Sequence, residues 1–302
     1  LPPPEPISGG VQPGAPYAVS WNQSQLLTIH AMGGGAEAAY NIPLAFWLHG
    51  PLEVTVLRDA LCALVERHAV LRTAYEVHAE RGFVQRVGAS PPSPELLVEM
   101  RVPSTSEAVT VVAADAARGF ELFGAGAAVL RCMLVRVEGE ERHLLLLNVH
   151  HVAFDGGSAS VLVRELGTLY ACLSGGGMSV DAVLPPLPVQ YVEYAAWQRD
   201  ALPPLLEPHR EYWRSSLREG ALTPLEMPLD FPRPAVQTFR GDTVPVALPA
   251  DLVQRLEEVC RAQGSTLFQL VLALWALLLC RHAGQEEVVV GTRSHGRGGA
   301  GS

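Results

Sequence analysis

The chain has 302 residues, of which 48% are hydrophobic and 18% charged, a composition typical of a globular protein with one large domain or two medium ones. Its net charge of −9 and its isoelectric point of about 5.6 argue against a nucleic-acid-binding surface, which normally shows a basic face. All 22 basic residues are arginine, which excludes a P-loop, a pyridoxal-phosphate Schiff base and a Ser-Lys dyad within this chain. The five cysteines are scattered and form no C-x-x-C pair, as expected of a reduced, intracellular protein.

Two segments bear on where the protein resides. Residues 1–16 are rich in proline and glycine and lack the apolar core of a signal peptide, so they are predicted to be a linker. The longest apolar segment, residues 267–280, is interrupted by Gln269 and is short for a membrane span. We therefore expect a buried core helix at 267–280, in a soluble, cytoplasmic protein that does not interact with a membrane.

The first part of the chain, residues 17–177, alternates helical and strand patterns and is assigned to an N-terminal lobe. From Leu52, leucines at helical spacing share one face with His68 and continue to Leu71. Farther along, two β-prone runs divided by a short polar turn predict a hairpin. The predicted elements are a helix over 21–30, a strand over 41–48, the helix from Leu52, a helix over 107–118, hairpin strands over 129–137 and 143–149, and a helix that contains Leu162, Leu166 and Leu169 and ends near Gly175, Gly176 and Gly177.

The second part, residues 189–302, is assigned to a C-terminal lobe, and the segment 178–188 is predicted to be an inter-lobe linker because it carries glycine and proline breakers. The predicted elements of this lobe are helices over 189–200, 209–217, 250–263 and 267–282, and strands over 243–248 and 287–291. The whole pattern is α/β, with a mixed sheet, in two unequal pieces.

Residues 150–156, His-His-Val-Ala-Phe-Asp-Gly, follow the apolar run 144–147 near the middle of the chain. Histidine is the natural general base at neutral pH. If the two histidines continue a strand, only one of them faces a given cavity. That alternation, with no evident third ligand, disfavours a metal site. The motif therefore predicts proton transfer by one histidine, while the other packs or holds the turn.

The remaining residues of the motif leave two interpretations open. Asp155 could orient the imidazole or pair with an arginine, and Gly156 is expected to permit a backbone conformation that other residues resist. The alternative is that both histidines are structural residues with satisfied hydrogen bonds at a strand end. A lone histidine would favour that alternative, whereas the complete H-H-x-x-x-D-G string favours a functional role.

Several segments resemble, in the family's order, the motifs of condensation domains of nonribosomal peptide synthetases. The family signature is H-H-x-x-x-D-G after an apolar strand, as in residues 150–156. Three further segments are similar to family motifs: residues 67–73 to R-H-x-x-L-R-T, residues 191–198 to Y-x-D-Y-A-x-W-Q with Glu193 in place of aspartate, and residues 290–297 to I-G-T-x-x-x-x-R through Val290, Gly291, Thr292 and Arg297. The resemblance runs from about Ser20 to the end of the chain.

The resemblance implies a chloramphenicol-acetyltransferase-like, two-lobe sandwich with its active site between the lobes, here with a complete N-terminal and a partial C-terminal lobe. It implies an acyltransferase in which the amine of an acceptor aminoacyl thioester attacks a donor acyl or peptidyl thioester to form an amide. Donor and acceptor peptidyl carrier proteins would bring both substrates on phosphopantetheine, beside an adenylation domain, and the domain itself would bind no cofactor, metal or nucleic acid. The alternatives are a related acyltransferase or epimerisation domain, and an inactive, truncated carrier-docking module.

The resemblance also assigns roles within the motif. His151 is expected to face the channel and to deprotonate or position the attacking amine, with His150, Asp155 and Gly156 completing the catalytic motif. The backbone N–H of Gly156 is a candidate to lie near the thioester oxygen.

Residues outside the motif are expected to support the site. Arg67 or Arg72 should form a structural salt bridge with Asp155, an interpretation preferred over direct catalysis by Asp155. Trp197 is expected to pack in the second lobe. His68, on the apolar helix face, should be a core histidine rather than a second base.

Overall fold

The structure is a computed structural model that describes residues 3–33, 37–89, 96–124, 126–175, 180–217, 223–235, 238–239 and 241–292. By contacts it divides into two compact units, unit 1 (Leu1–Pro204) and unit 2 (Leu205–Gly298). Gly176 and Gly177 at the end of a predicted helix, and Arg297 of the last motif, lie outside the described residues.

Unit 1 contains two sheets. Their orders are β1-β4-β3 and β2-β7-β6-β5, and every neighbouring pair is antiparallel except β5 with β6. The strands are β1 (Pro16–Ala18), β2 (Asn41–His49), β3 (Thr73–His78), β4 (Gly82–Val87), β5 (Leu97–Val102), β6 (Leu130–Val137) and β7 (Arg142–His150). The helices from residue 21 to residue 216 are α1 (Trp21–Ala31), α2 (Val54–Arg67), α3 (Thr105–Ala116), α4 (Gly156–Gly175), α5 (Val180–Val183), α6 (Tyr191–Ala201) and α7 (Pro203–Ser216), with a 3₁₀ turn at Ala69–Arg72.

The four-stranded sheet is covered by helices on both faces. On one face, Leu145, Leu147 and Val149 of β7 pack in a cluster with apolar residues of α2 and α4. On the other face, Leu144 and Leu146 pack with apolar residues of α3. Because both faces are covered, β7 is a nearly continuous apolar run rather than an alternating one.

The helices and strands predicted in the first part of the chain are largely confirmed, including the hairpin of β6 and β7. One correction concerns the helix from Leu52, which begins at Val54 and ends at Arg67. His68 is extended, and the leucine spacing continues to Leu71 only because a 3₁₀ turn follows. Strands β1, β3, β4 and β5 have no counterpart in the predictions; polar residues such as Glu76 and Gln85 mask the apolar pattern of β3 and β4.

Helix α6 belongs to unit 1 and ties together segments distant in sequence. The Gln190 side chain, which caps α6, accepts from the N–H of Ala69 and donates to the carbonyl of Arg67. At the other end of the helix, Gln198 Oε1 accepts from the N–H of Trp21 at 2.9 Å. Unit 1 therefore extends to Pro204, beyond the predicted boundary at 177. The assignment of 178–188 as an inter-lobe linker stays a prediction.

Unit 2 contains α8 (Ala250–Ala262) and α9 (Leu267–Ala283). A capping box at Thr266 begins α9, because its hydroxyl accepts from Gln269 N–H while the Gln269 side chain accepts from Thr266 N–H. The helix ends at Gly284, whose φ of 65° lies in the left-handed region that glycine tolerates. Both helices therefore match the sequence prediction.

Three predictions in unit 2 are wrong. Residues 243–248 and 287–291 are not strands: neither segment pairs with a strand among the described residues, and Val244 and Val246 are 83% and 82% exposed. Helix α9 is not a buried core helix, since none of its residues is buried. Of the helices described in unit 2, α8 is the one that packs on it, and one neighbour is too little to enclose a helix that is apolar on every side.

No single described helix is long and apolar enough to cross a membrane. Helices α8 and α9 reach the length and apolar composition of a membrane span only when they are taken together, and the pair is bent by 103°.

Candidate functional site

The histidine motif begins at the end of β7 and continues the strand's alternation into the following turn. His150, Val152 and Phe154 are buried, whereas His151 and Asp155, at odd positions, are only partly buried. Val152 and Phe154 anchor the turn in two different apolar clusters. As predicted from strand geometry, the two adjacent histidines therefore lie in different environments.

His150 is a core residue. Its N–H donates to Val129 O at 2.9 Å, and its Nδ1 accepts from the N–H of Val152 at 3.0 Å. Burial first, and then the imidazoles of His30 and His151, lower the pKa of His150 from 6.5 to about 3. His150 is therefore neutral near pH 7, with its proton on Nε2, and its bond to Val152 holds the turn that follows.

Aromatic rings surround the imidazole of His150. The ring centroids of His30 and Phe120 lie 5.7 and 5.9 Å from that of His150, both in edge-to-face geometry, and that of Tyr40 lies at 6.4 Å. His150 Nε2 has no hydrogen-bond acceptor among the described residues. Because its side chain is fully buried, His150 is poorly placed to exchange a proton with substrate.

His151 stands one residue beyond the strand and is partly exposed. Its N–H donates to Tyr40 O at 2.9 Å, one step past the ladder pair of Asn41 with His150, and its carbonyl accepts from Phe154 N–H. The Tyr40 ring lies 6.3 Å away at 66°. The backbone of His151 is thus fixed while its imidazole is the accessible one of the pair, the arrangement that a general base needs.

Asp155 begins α4 as its N-cap. Its Oδ1 accepts from the N–H of Ser158 at 3.0 Å and from the Ser158 hydroxyl at 2.7 Å, and the Asp155 N–H donates to that hydroxyl at 3.3 Å. This reciprocal pairing satisfies backbone donors that the first turn of a helix leaves free. Asp155 therefore fixes the start of α4 directly behind the turn that carries His151.

Gly156, the first residue of α4, corrects one expectation. Its φ is not in the positive region, and a Cβ built on it meets nothing within 4 Å. The backbone here is one that any residue adopts, so conformational freedom does not explain this glycine. Its lack of a side chain leaves open space at the start of α4.

The expected salt bridge of Asp155 with Arg67 or Arg72 is not formed. Arg67 instead pairs with Glu165 of α4 at 3.1 Å and donates to the carbonyls of Leu184 and Pro185, while Arg72 donates to Gly88 O. Arg67 reaches Glu165 because both face the contact between α2 and α4. Arg67 therefore contacts α4 and not the Asp155 carboxylate, and the role of Arg67 and Arg72 in supporting the site stays a prediction.

His68 and Trp197 also lie outside the immediate motif. His68 Nε2 lies 2.7 Å from the buried Glu165 carboxylate, so this mostly buried histidine, predicted to be a core histidine, has a polar partner there. The Trp197 ring lies 5.6 Å from that of Tyr194 at a tilt of 35°, within α6, a helix of unit 1. The role of Trp197 in supporting the site stays a prediction.

Tyr40 and His30 are among the residues at the motif that the sequence analysis did not identify. They lie more than a hundred positions before the histidines and carry no spacing signal; only the pairing of β2 with β7 and the packing of α1 bring them there. In the described part of the chain, no three histidine, cysteine or acidic side chains form a group able to hold a metal ion.

Comparisons with known proteins find relatives over most of the chain. The family model of the condensation domain matches residues 15–302. Tyrocidine synthase 2 of Brevibacillus parabrevis is 34% identical over 95% of this chain, and malpibaldin synthetase of Mortierella alpina is 33% identical over 94%. The chain spans only 8% and 5% of the length of these two relatives.

A solved structure matches as well. The X-domain from teicoplanin biosynthesis is 26% identical with a TM-score of 0.76, covering 93% of this chain and 60% of that one. The predicted mixed α/β, chloramphenicol-acetyltransferase-like fold is confirmed, over a part of the full domain. The ordered motifs, the family match and the shared fold together show that the chain belongs to the condensation-domain family of nonribosomal peptide synthetases.

Proposed function

We propose that this chain carries the catalytic histidine of an amide-forming condensation domain. Condensation domains belong to multidomain synthetases that also contain carrier and adenylation domains. In the proposed reaction, the amine of an acceptor aminoacyl thioester attacks the carbonyl carbon of a donor acyl or peptidyl thioester. The C–N bond forms, the C–S bond breaks, and the donor phosphopantetheine leaves as a thiol.

His151 is proposed to handle the proton of the attacking amine. An ammonium has no lone pair, so a base that accepts its proton raises the rate, typically by ~10²–10⁴-fold. An ammonium loses two protons on becoming an amide nitrogen: His151 passes the first to solvent, which frees the lone pair, and transfers the second, released as the C–N bond forms, to the departing sulfur, so His151 ends the cycle in the state in which it began. A thioester is already activated, and holding both substrates in place supplies a further share of the rate.

One observation carries the proposal: of two adjacent histidines, His150 is buried and bonded to Val152 N–H, while His151 is partly exposed on a backbone held by Tyr40 O. Asp155 and Gly156 contribute through α4, the first by capping the helix and the second by leaving space at its start. No metal or covalent intermediate enters this mechanism.

The test is amide formation by the full-length protein in which this sequence stands. Donor and acceptor carrier proteins are charged from a panel of aminoacyl-coenzyme A compounds, mixed with the protein, and analysed by mass spectrometry of the carrier-bound products. We expect a dipeptidyl thioester on the acceptor carrier, and a loss of ~10²-fold or more in its rate for His151→Ala. Equal rates for the wild type and His151→Ala would overturn the catalytic assignment.

A binding role is the second candidate, because the X-domain, known from a complex with OxyB, shares this fold at 26% identity. Such a module would bind a partner without forming an amide. Carrier binding without any dipeptidyl product across the panel, in both wild type and His151→Ala, would favour it over condensation.

A further inference from the structure

Tyr40 is the described residue that meets His151 through both backbone and ring. Its carbonyl accepts the His151 N–H at 2.9 Å, and its ring centroid lies 6.3 Å from the His151 imidazole at 66°. Because Tyr40 continues β2 opposite His151, the two side chains are cross-strand neighbours.

The position of Tyr40 is fixed by its neighbour in sequence. The Asn41 side-chain amide donates to the carbonyls of Ala116 and Arg118 at 2.7 and 2.8 Å, which joins the start of β2 to the C-terminal end of α3. On the sheet side, Asn41 pairs with His150. With these anchors to a helix and to the adjacent strand, the backbone that carries the Tyr40 ring is held beside His151.

The Tyr40 ring also contacts the buried imidazole, at 6.4 Å from His150. His30 and Phe120 make edge-to-face contacts with His150. Tyr40 thus touches both histidines, whereas these other rings contact His150. The side-chain contact of Tyr40 with His151 is a contact between the two rings.

We propose that Tyr40 is a positioning residue for condensation, whose aromatic ring fixes the direction of the His151 imidazole toward the attacking amine. The inference deepens the proposed function, since it assigns a support for the same base. Misplacing a catalytic group by about 1 Å costs up to ~10²-fold in rate, so loss of the ring should act on turnover more than on substrate binding.

The kinetic test compares Tyr40→Phe, which keeps the ring, with Tyr40→Leu, which removes it. Tyr170→Phe is the matched control, because Tyr170 is a half-buried tyrosine of unit 1 whose hydroxyl accepts from Glu53 N–H, away from the motif. In the condensation assay we expect Tyr40→Leu to lower kcat ~10- to 100-fold with KM within about twofold. Tyr40→Phe and Tyr170→Phe should retain the wild-type kcat. An unchanged kcat for Tyr40→Leu, or an equal loss for Tyr40→Phe, would overturn the inference.

A second readout separates this inference from the proposed function, because it does not need activity. The NMR signals of the His151 imidazole protons are assigned as those that disappear in His151→Ala. Their chemical shifts depend on the ring current of Tyr40. These signals should move in folded Tyr40→Leu and stay in place in Tyr40→Phe and Tyr170→Phe. Unmoved signals in Tyr40→Leu contradict the role of Tyr40 whatever the assay shows. An inactive wild type with the expected shifts contradicts only the condensation proposal.

Discussion

At the scale of single residues, the two histidines differ because a strand ends between them. His150 is the last residue of β7, and its side chain faces a cluster of rings where burial depresses its pKa. His151 follows the strand and remains accessible. Two identical side chains, adjacent in sequence, are thus given a packing role and a proposed chemical role by backbone alternation alone.

His150 predicts an acid-sensitive stability. Its pKa is about 3 in the folded chain against 6.5 for a free histidine, so between these values the unfolded chain binds a proton that the folded chain does not. The contribution of His150 to the free energy of unfolding is complete above pH 6.5 and is lost as the pH falls toward 3. The free energy of unfolding then changes by up to ~1.4 kcal/mol per pH unit. Urea unfolding between pH 4 and pH 7 measures this slope.

The control for the pH dependence of the unfolding free energy is His150→Asn. Asparagine keeps an acceptor near the Nδ1 position for Val152 N–H but does not titrate. The burial of His30 also lowers its pKa, so part of the slope remains in the variant. We expect His150→Asn to be less stable at pH 7 and to show a clearly smaller decline toward pH 4. Parallel curves for the two proteins would contradict the buried, neutral state of His150.

At the scale of elements, α4 depends on its cap. Asp155→Ala removes the acceptor for the Ser158 N–H and hydroxyl, and loss of an N-cap costs ~0.5–2 kcal/mol. Asp155→Asn should retain most of this free energy, because asparagine caps helices about as well as aspartate. Chemical denaturation of the three proteins tests the assignment; an equal loss for alanine and asparagine would show that charge, and not capping, is the contribution of Asp155.

The sequence predicts elements well where one segment contains its own signal. The apolar run of β7 and the leucine spacing of α2 predict a strand and a helix, because their burial is encoded locally. Residues 243–248 alternate valines as a strand does, yet a strand also needs a hydrogen-bonded partner, which the described residues do not provide. The ion pair of Arg67 was predicted with the wrong carboxylate, since the choice between Asp155 and Glu165 depends on helix packing.

At the scale of the whole molecule, the motif and all its described supports lie in unit 1. The pairing of Tyr40 with His151 spans more than a hundred residues of sequence, as does the contact of His30 with His150. No local pattern encodes such pairs. The sequence therefore predicts the motif residues, the two histidines and Asp155, but not the residues from distant segments that surround them.

The two units should differ in local stability. The apolar residues of β7 are buried under helices on both faces, while α9 has no buried residue. Amide groups with few buried contacts exchange through low-energy openings. Hydrogen–deuterium exchange should show the amides of β7 among the slowest and those of α9 exchanging earlier. Equal protection of β7 and α9 would mean that unit 2 is more tightly packed than these contacts indicate.

The measurement that tests the central claim most directly compares two nucleophiles in His151→Ala. An aminoacyl acceptor arrives largely as an ammonium and needs a base, whereas hydroxylamine carries a free lone pair at neutral pH. If His151 takes the proton of the attacking amine, His151→Ala should slow aminoacyl transfer by ~10²–10⁴-fold and slow hydroxylamine attack on the same donor thioester far less. Equal losses for both nucleophiles would contradict the assignment of His151 as the base.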